Sequence, residues 1–361
     1  LQCCLTSNAL ESVNFVDGYK RLGQQNETFL SELFMSLRKN PQLIAHCLIN
    51  GEKTSSETIV QVCHIVMSTL YSNCILNEDK LVALYLLKEL FNFQLVQSEN
   101  PRRLIRHGSC AFSKIYKLFC EQIIDGRIFL TAALHDGVMH LLAEDDLLLE
   151  IDPNKAVIRI APQERLKHFG QEGTPSYDAN LQKYRQWIIS KLTFAAMKFI
   201  KGIQENIYCF PQSIALLVKH FYNSFIRSKK IEPREIEAIC ADIIFEFFIC
   251  PAIINPDVYG ITDAHISQNA RFNLMQVAQI IQLLAMPRSD ENDPKFNDLY
   301  GKFERDSLFK VFNEILEKKN KESVQENNFG GLIRSWFLIS DVELKVFIQF
   351  LQGLKQELQT Q

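Results

Sequence analysis

The sequence predicts an all-α protein. Apolar residues recur at helical spacing along nearly the whole chain. No stretch alternates apolar and polar residues as a half-buried strand does. No proline falls between Pro41 and Pro101, which leaves room for long uninterrupted helices. No fixed-period repeat is visible, so a regular solenoid is not expected.

Phe29, Leu30, Leu33, Phe34 and Leu37 mark an early helix, with Asn26 expected as its N-cap. Ile59, Cys63, Val66 and Leu70 mark another behind Ser55 and Ser56. Asn77, Glu78 and Asp79 open a third that runs to about Leu95, their oxygens and charges suiting the positive end of a helix. Ser109 is expected to cap a helix reaching about Ile124. Gly126 should interrupt the pattern before Ile128, Phe129, Ala132 and Ala133 start the next. Residues 144–178 are polar and rich in Pro and Gly, and are expected to join two subdomains. Leu181, Tyr184, Ile188, Leu192, Ala195 and Phe199 mark a long helix, and Pro211 and Pro233 suit the first turns of two more. Further helices are expected over Arg271–Met286, Phe303–Lys318 and Asp341–Leu358, with a charged linker over 318–328.

Bulk composition excludes several classes. The chain has 361 residues, 47% of them hydrophobic and 22% charged, the balance of an ordinary globular protein. A net charge of −3 gives no global attraction to nucleic acid. Seven of the ten cysteines sit in apolar helical runs and no Cys-x-x-Cys occurs, which points to a reducing, cytosolic setting. No apolar run is long enough to span a membrane. The chain starts at Leu1 without a signal-peptide pattern and is expected to be part of something longer.

Much familiar chemistry is missing. There is no Gly-x4-Gly-Lys-Ser/Thr loop and no Gly-x-Gly-x-x-Gly turn after a strand, so no bound nucleotide or other cofactor is expected. No His-Glu-x-x-His occurs, and His135 and His140 are five apart, which splits them across a helix, so no metal site is expected. Asp145-Asp146 and the acids of Glu232–Glu237 read more simply as charged helix ends than as general acid–base pairs. The 26 phenylalanines fall at core spacing rather than as base-stacking platforms.

Two stretches stand apart. In Glu99–Tyr116, Arg102, Arg103 and Arg106 sit on a short connection punctuated by Pro101 and Gly108. Gly108 permits backbone angles other residues avoid, and a guanidinium on such a turn offers five donors in a planar fork that suits phosphate oxygens. The plainer alternative is a solvated arginine or a structural ion pair. In Phe245–Pro256, a strongly apolar helical face runs into Pro251 and Pro256, which should kink or break it.

Together these stretches resemble the Ras GTPase-activating protein family. Leu104-Ile105-Arg106-His107-Gly108-Ser109-Cys110-Ala111 is similar to its finger loop, and Phe248-Ile249-Cys250-Pro251-Ala252-Ile253-Ile254-Asn255-Pro256 to its second signature. Val277–Met286 and Phe296-Asn297-Asp298 resemble later elements. The match is closer still to the amino-terminal domain of the Gapex and receptor-mediated-endocytosis branch.

The resemblance spans residues 56–317 and implies an elongated helical domain, flanked by an amino-terminal extension (1–55) and a linker with a final helix (318–361). It implies no bound cofactor and a GTP-bound small GTPase of the Ras family as partner. Arg106 would be the catalytic finger entering the GTPase site, with Ser109, Ala111, Gln279, Gln282 and Met286 on the GTPase-binding surface. It further implies a cytoplasmic protein peripheral to endocytic membranes, with adaptor partners reached through other regions. The chain departs from the family where the arginine bracing the finger falls at Phe247, the groove lysine at Gln279 and the groove asparagine at Met286. Arg103 or Arg102 is the available substitute brace. Three functions stay open: an activator acting through Arg106, a GAP-shaped binding module, and a structural helical scaffold.

Overall fold

The computed structural model describes residues 15–53, 56–144, 147–160, 162–287, 297–304, 307–317 and 336–360. All regular structure among them is helical. The chain divides into two compact units. The smaller draws on Leu1–Leu90, Ser109–Ile115 and Asn328–Gln361, the larger on Phe91–Gly108 and Tyr116–Asn327.

The smaller unit runs through helices Phe15–Leu22, Gln24–Arg38, Pro41–Gly51, Ser56–Ile65 and Asn77–Leu90, and closes with Asp341–Thr360. The helix expected behind Asn26 begins earlier, at Gln24, and Asn26 Nδ2 instead donates to the Leu22 carbonyl. Asn40 is a working N-cap: its side chain accepts from Leu43 N at 3.2 Å, and Pro41 fills the first helical position. Phe34, Ile44, Leu48, Val62, Met67, Leu87 and Phe347 are buried at the core. Within it Arg38 is 3% exposed, pairs with the fully buried Asp79 at 2.8 Å and donates to the Leu70 carbonyl.

The larger unit is organised around Ile124–Ala143 and Pro175–Glu205. These helices approach closely at Gly202, where a Cβ would sit 2.1 Å from the Ala133 carbonyl oxygen. Gly126 does not break the first of them. The chain turns at the extended Ile123, and Gly126 lies inside the helix against Ile123 and Phe248. The segment expected to join subdomains lies within this unit. It carries helices Pro153–Arg159 and Pro162–Phe169 over a small core of Val157, Phe169, Tyr177 and Leu181. Helix Gln268–Ala285 packs on Pro175–Glu205 and on Cys250–Ile254. The expected helix over Phe303–Lys318 is shorter, Ser307–Glu317, and the linker over 318–328 lies outside the described residues.

Pro251 does not break its helix either. Pro233–Ala241 continues through Asp242–Ile249, where the turns widen to i→i−5 hydrogen bonds (Cys250 N to Phe245 O), and then through Cys250–Ile254. A helix already widened has slack for a residue that lacks an N–H. It ends at Asn255, just before Pro256, where Arg271 donates to the Ile254 carbonyl and to Asn255 Oδ1.

Candidate GTPase-facing site

Arg106 is helical, not in a loop. Pro101–His107 is a short helix with Pro101 at its first position, and Gly108 ends it at φ +67°, its N–H donating to the Ile105 carbonyl at 2.9 Å. Arg106 therefore stands in the last turn, where the carbonyl end of a helix favours a cation. Its side chain is 42% exposed.

Two carboxylates from the widened turns meet the arginines. Arg102 Nε donates to Asp242 Oδ2 at 2.7 Å, and Glu235 lies 3.6 Å from Arg102 Nη1. Arg106 Nε donates to Glu246 Oε2 at 2.8 Å and lies 3.5 Å from Asp242 Oδ2. Asp242 is 1% exposed, and burial pushes its carboxyl up to about 6 despite the pull of Arg102 and Arg106. Its second oxygen, Oδ1, is buried and has no hydrogen-bond partner among the described residues. Partial burial opposes the charge on Arg106, but the hydrogen bond to Glu246 and the fields of Asp242, Glu246 and Glu235 outweigh it and strengthen its hold on its proton.

Beside this network lies a cleft of about 850 Å³. Arg102, Arg103, Arg106, Lys230 and Arg234 line it with Glu99, Glu232 and Glu235, so cations outnumber anions at the wall. Arg103 is exposed and makes no ion pair among the described residues, so the side chains that tie this helix to the rest of the unit are Arg102 and Arg106 rather than Arg103.

Gln279 (exposed), Gln282 and Met286 (both half-buried) follow one another three and four residues apart along Gln268–Ala285 and its C-cap. Met286 is drawn into the arginine network: Arg102 Nη2 donates to its Sδ at 3.0 Å. Phe247 is half-buried in the widened turns. Ser109 and Ala111 fall in the smaller unit. Ser109 is exposed and precedes the cap. The cap position falls on Cys110, whose carbonyl accepts from Lys114 N at 3.2 Å and whose Sγ lies 3.0 Å from Ser113 Oγ. Ala111, at the first helical position, is fully buried, so it contributes packing rather than contact surface.

Asp298 is held by Arg185 through contacts of 2.8 and 3.1 Å, a structural role, and Phe296 lies outside the described residues, as do Asp145 and Asp146. Among the described residues no cluster of His, Cys, Asp and Glu could hold a metal, every cysteine is a free thiol, and no helix is long and apolar enough to cross a membrane. Sequence reasoning missed Asp242 and Glu246. The available signal was two acids four apart in an otherwise apolar helical run, a position where charge persists only with a partner.

Arg106 thus stands beside the helix that carries Pro251 and Ala252. Residues 86–286 match the family of GTPase-activator proteins for Ras-like GTPases, and the chain belongs to that family. It is 39% identical over 357 residues to the human GTPase-activating protein and VPS9 domain-containing protein 1, covering 98% of this chain and 24% of that protein. It is 33% identical over 293 residues to the Receptor-mediated endocytosis protein 6 homolog of Drosophila pseudoobscura pseudoobscura (79% of this chain, 16% of the relative). It is 26% identical over 300 residues to Receptor-mediated endocytosis protein 6 of Caenorhabditis elegans, covering 81% and 26%. The chain thus spans about a quarter or less of the length of these relatives.

Proposed function

We propose that this domain binds the GTP-bound form of a Ras-family GTPase and accelerates hydrolysis by supplying Arg106 in trans. The observation that carries the proposal is the position of Arg106: 42% exposed, in the last turn of a short helix that ends at Gly108, on the wall of a cation-rich cleft. A guanidinium delivered to the transferring phosphoryl group stabilises charge that grows in the transition state. For Ras and its activators a trans arginine is worth roughly 10³–10⁵ in rate. The names of two relatives, Receptor-mediated endocytosis protein 6 and its homolog, support a setting in endocytosis; a place at the cytoplasmic face of endocytic membranes, with adaptors engaged by other regions, is part of the same proposal.

A second function has its own support. Glu246 occupies the Nε of Arg106, and Phe247, which cannot donate to loop carbonyls, stands where the family places its bracing arginine. A GAP-shaped module that binds a GTPase without accelerating it fits those features. Single-turnover GTP hydrolysis on a panel of Ras-family GTPases separates the two. Acceleration by the wild-type domain that disappears in Arg106→Ala supports the activator. Binding without acceleration on every member of the panel supports the module and overturns the activator.

A further inference from the structure

We infer that Glu246 is the positioning residue for Arg106, doing from the guanidinium side what a bracing arginine would do from the loop side. The inference deepens the proposed function and rests on it. The guanidinium carries one N–H on Nε and two on each terminal nitrogen. Glu246 Oε2 takes the Nε edge at 2.8 Å, and Asp242 approaches the same nitrogen at 3.5 Å. The terminal nitrogens make no hydrogen bond among the described residues, and the side chain stays 42% exposed. The arginine is thus gripped at its base with four donors left for an incoming anion. A carboxylate that instead took both terminal nitrogens side-on would have consumed the fork that phosphate oxygens need.

Glu246 is placed by its helix and by partial burial. It lies in the widened stretch Asp242–Ile249, one helical turn beyond Asp242, and its side chain is 25% exposed. Asp242 is anchored by Arg102, which also reaches Glu235 and Met286. Arg102 therefore holds Asp242, and Asp242 and Glu246, one turn apart on the same helix, both face Arg106. Phe247 beside them is apolar and half-buried, so it offers the finger no hydrogen bond. A preorganised donor costs little reorientation when charge develops, and a displaced one loses rate steeply. The ligand chemistry is an anion with oxygens spaced for a forked donor, a phosphoryl group in transfer, met by Nη1 and Nη2 while Nε stays on Glu246.

The test uses the whole 361-residue chain, as wild type, Glu246→Gln and Glu246→Leu, with helicity and thermal unfolding checked first. Gln keeps an oxygen acceptor for Nε–H and Leu removes it. In single-turnover hydrolysis the Leu variant should lower the limiting rate by about tenfold at an unchanged half-saturating concentration, and Gln should recover most of it. In a ¹⁵N-labelled sample the Arg106 Nε–H resonance, assigned by Arg106→Lys, should be protected from exchange in wild type and Gln and exposed in Leu. A Leu variant as fast as wild type or faster, or one whose Nε–H stays protected, overturns the inference. A wild-type domain that accelerates no GTPase overturns the proposed function instead, and the Nε–H signal then decides by itself whether Glu246 holds Arg106.

Discussion

Arg102 and Asp242 meet at 2.7 Å across 140 residues of chain, and the carboxylate they share with Arg106 is almost completely out of water. A buried carboxylate of this kind is stabilised by its partners and penalised by its surroundings at once, and here burial prevails, since the carboxyl rises to about 6 rather than falling.

That balance predicts a pH dependence. Between 3.8 and about 6 the folded chain keeps a proton on Asp242 that the unfolded chain has lost. The contribution of this group to stability is therefore greatest below that window, declines as pH rises through it, and is level above. Asp242→Asn cannot titrate. The unfolding free energy of wild type minus that of the variant should fall across the window, at most by about 1.4 kcal/mol per pH unit. Urea unfolding from pH 4 to 7 checks this, and a difference that rises with pH would contradict it.

Gly202→Ala should destabilise the larger unit. The new Cβ would lie 2.1 Å from the Ala133 carbonyl oxygen, which is backbone and cannot rotate aside. Separating Ile124–Ala143 from Pro175–Glu205 should cost about 1–3 kcal/mol or more, seen as a fall in melting temperature. Gly353→Ala, with nothing within 4 Å of its Cβ, is the control and should leave it unchanged or slightly higher.

Arg38→Ala should destabilise the smaller unit by about 3–5 kcal/mol, because it removes the cation paired with the fully buried carboxylate of Asp79, whose Oδ2 also accepts from Leu76 N at 3.1 Å. The double variant Arg38→Met, Asp79→Leu should recover part of the loss, since no buried charge is then left unpaired, while the Leu76 N–H loses its acceptor and the half-exposed Glu78 its partner. Denaturant midpoints of the three proteins measure it. A double variant no better than the single one would show that packing rather than charge dominates.

Gln279→Lys should tighten binding to a GTPase with an acidic surface, lowering the half-saturating concentration several-fold at low salt and less at high salt, without changing the limiting rate. The position is exposed on Gln268–Ala285, so the fold should tolerate the change. A change in limiting rate alone would place residue 279 with the chemistry rather than with docking.

The sequence made the helical class plain because periodicity survives any tertiary arrangement. Helix starts were legible where a local rule decided them: Pro233 occupies a first turn, and Asn77–Asp79 open a helix as expected. Local rules failed where packing overrode them. Gly126 looked like a breaker, yet it sits inside a helix against Ile123 and Phe248. Pro251 looked like a kink, yet it follows widened turns that accommodate it. Arg106 was legible as a candidate from its neighbours in sequence. Its partners were not, because Asp242 and Glu246 reach it only through the fold and no local pattern pairs residues 140 apart.

The widened stretch Asp242–Ile249 carries one more consequence. An ordinary helix swings each side chain about 100° from the last, so the residue number alone gives its compass bearing. Where the bonds reach back five residues instead of four, that rule slips, and bearings on either side are geared separately. Glu246 and the Pro251-Ala252 pair thus share one helix without sharing one clock. Deleting a single residue between Asp242 and Glu246 would leave the apolar lettering nearly intact while changing the bearing of one carboxylate relative to the other. Counting along the chain and pointing in space are different coordinates here, and the arginines answer to the second.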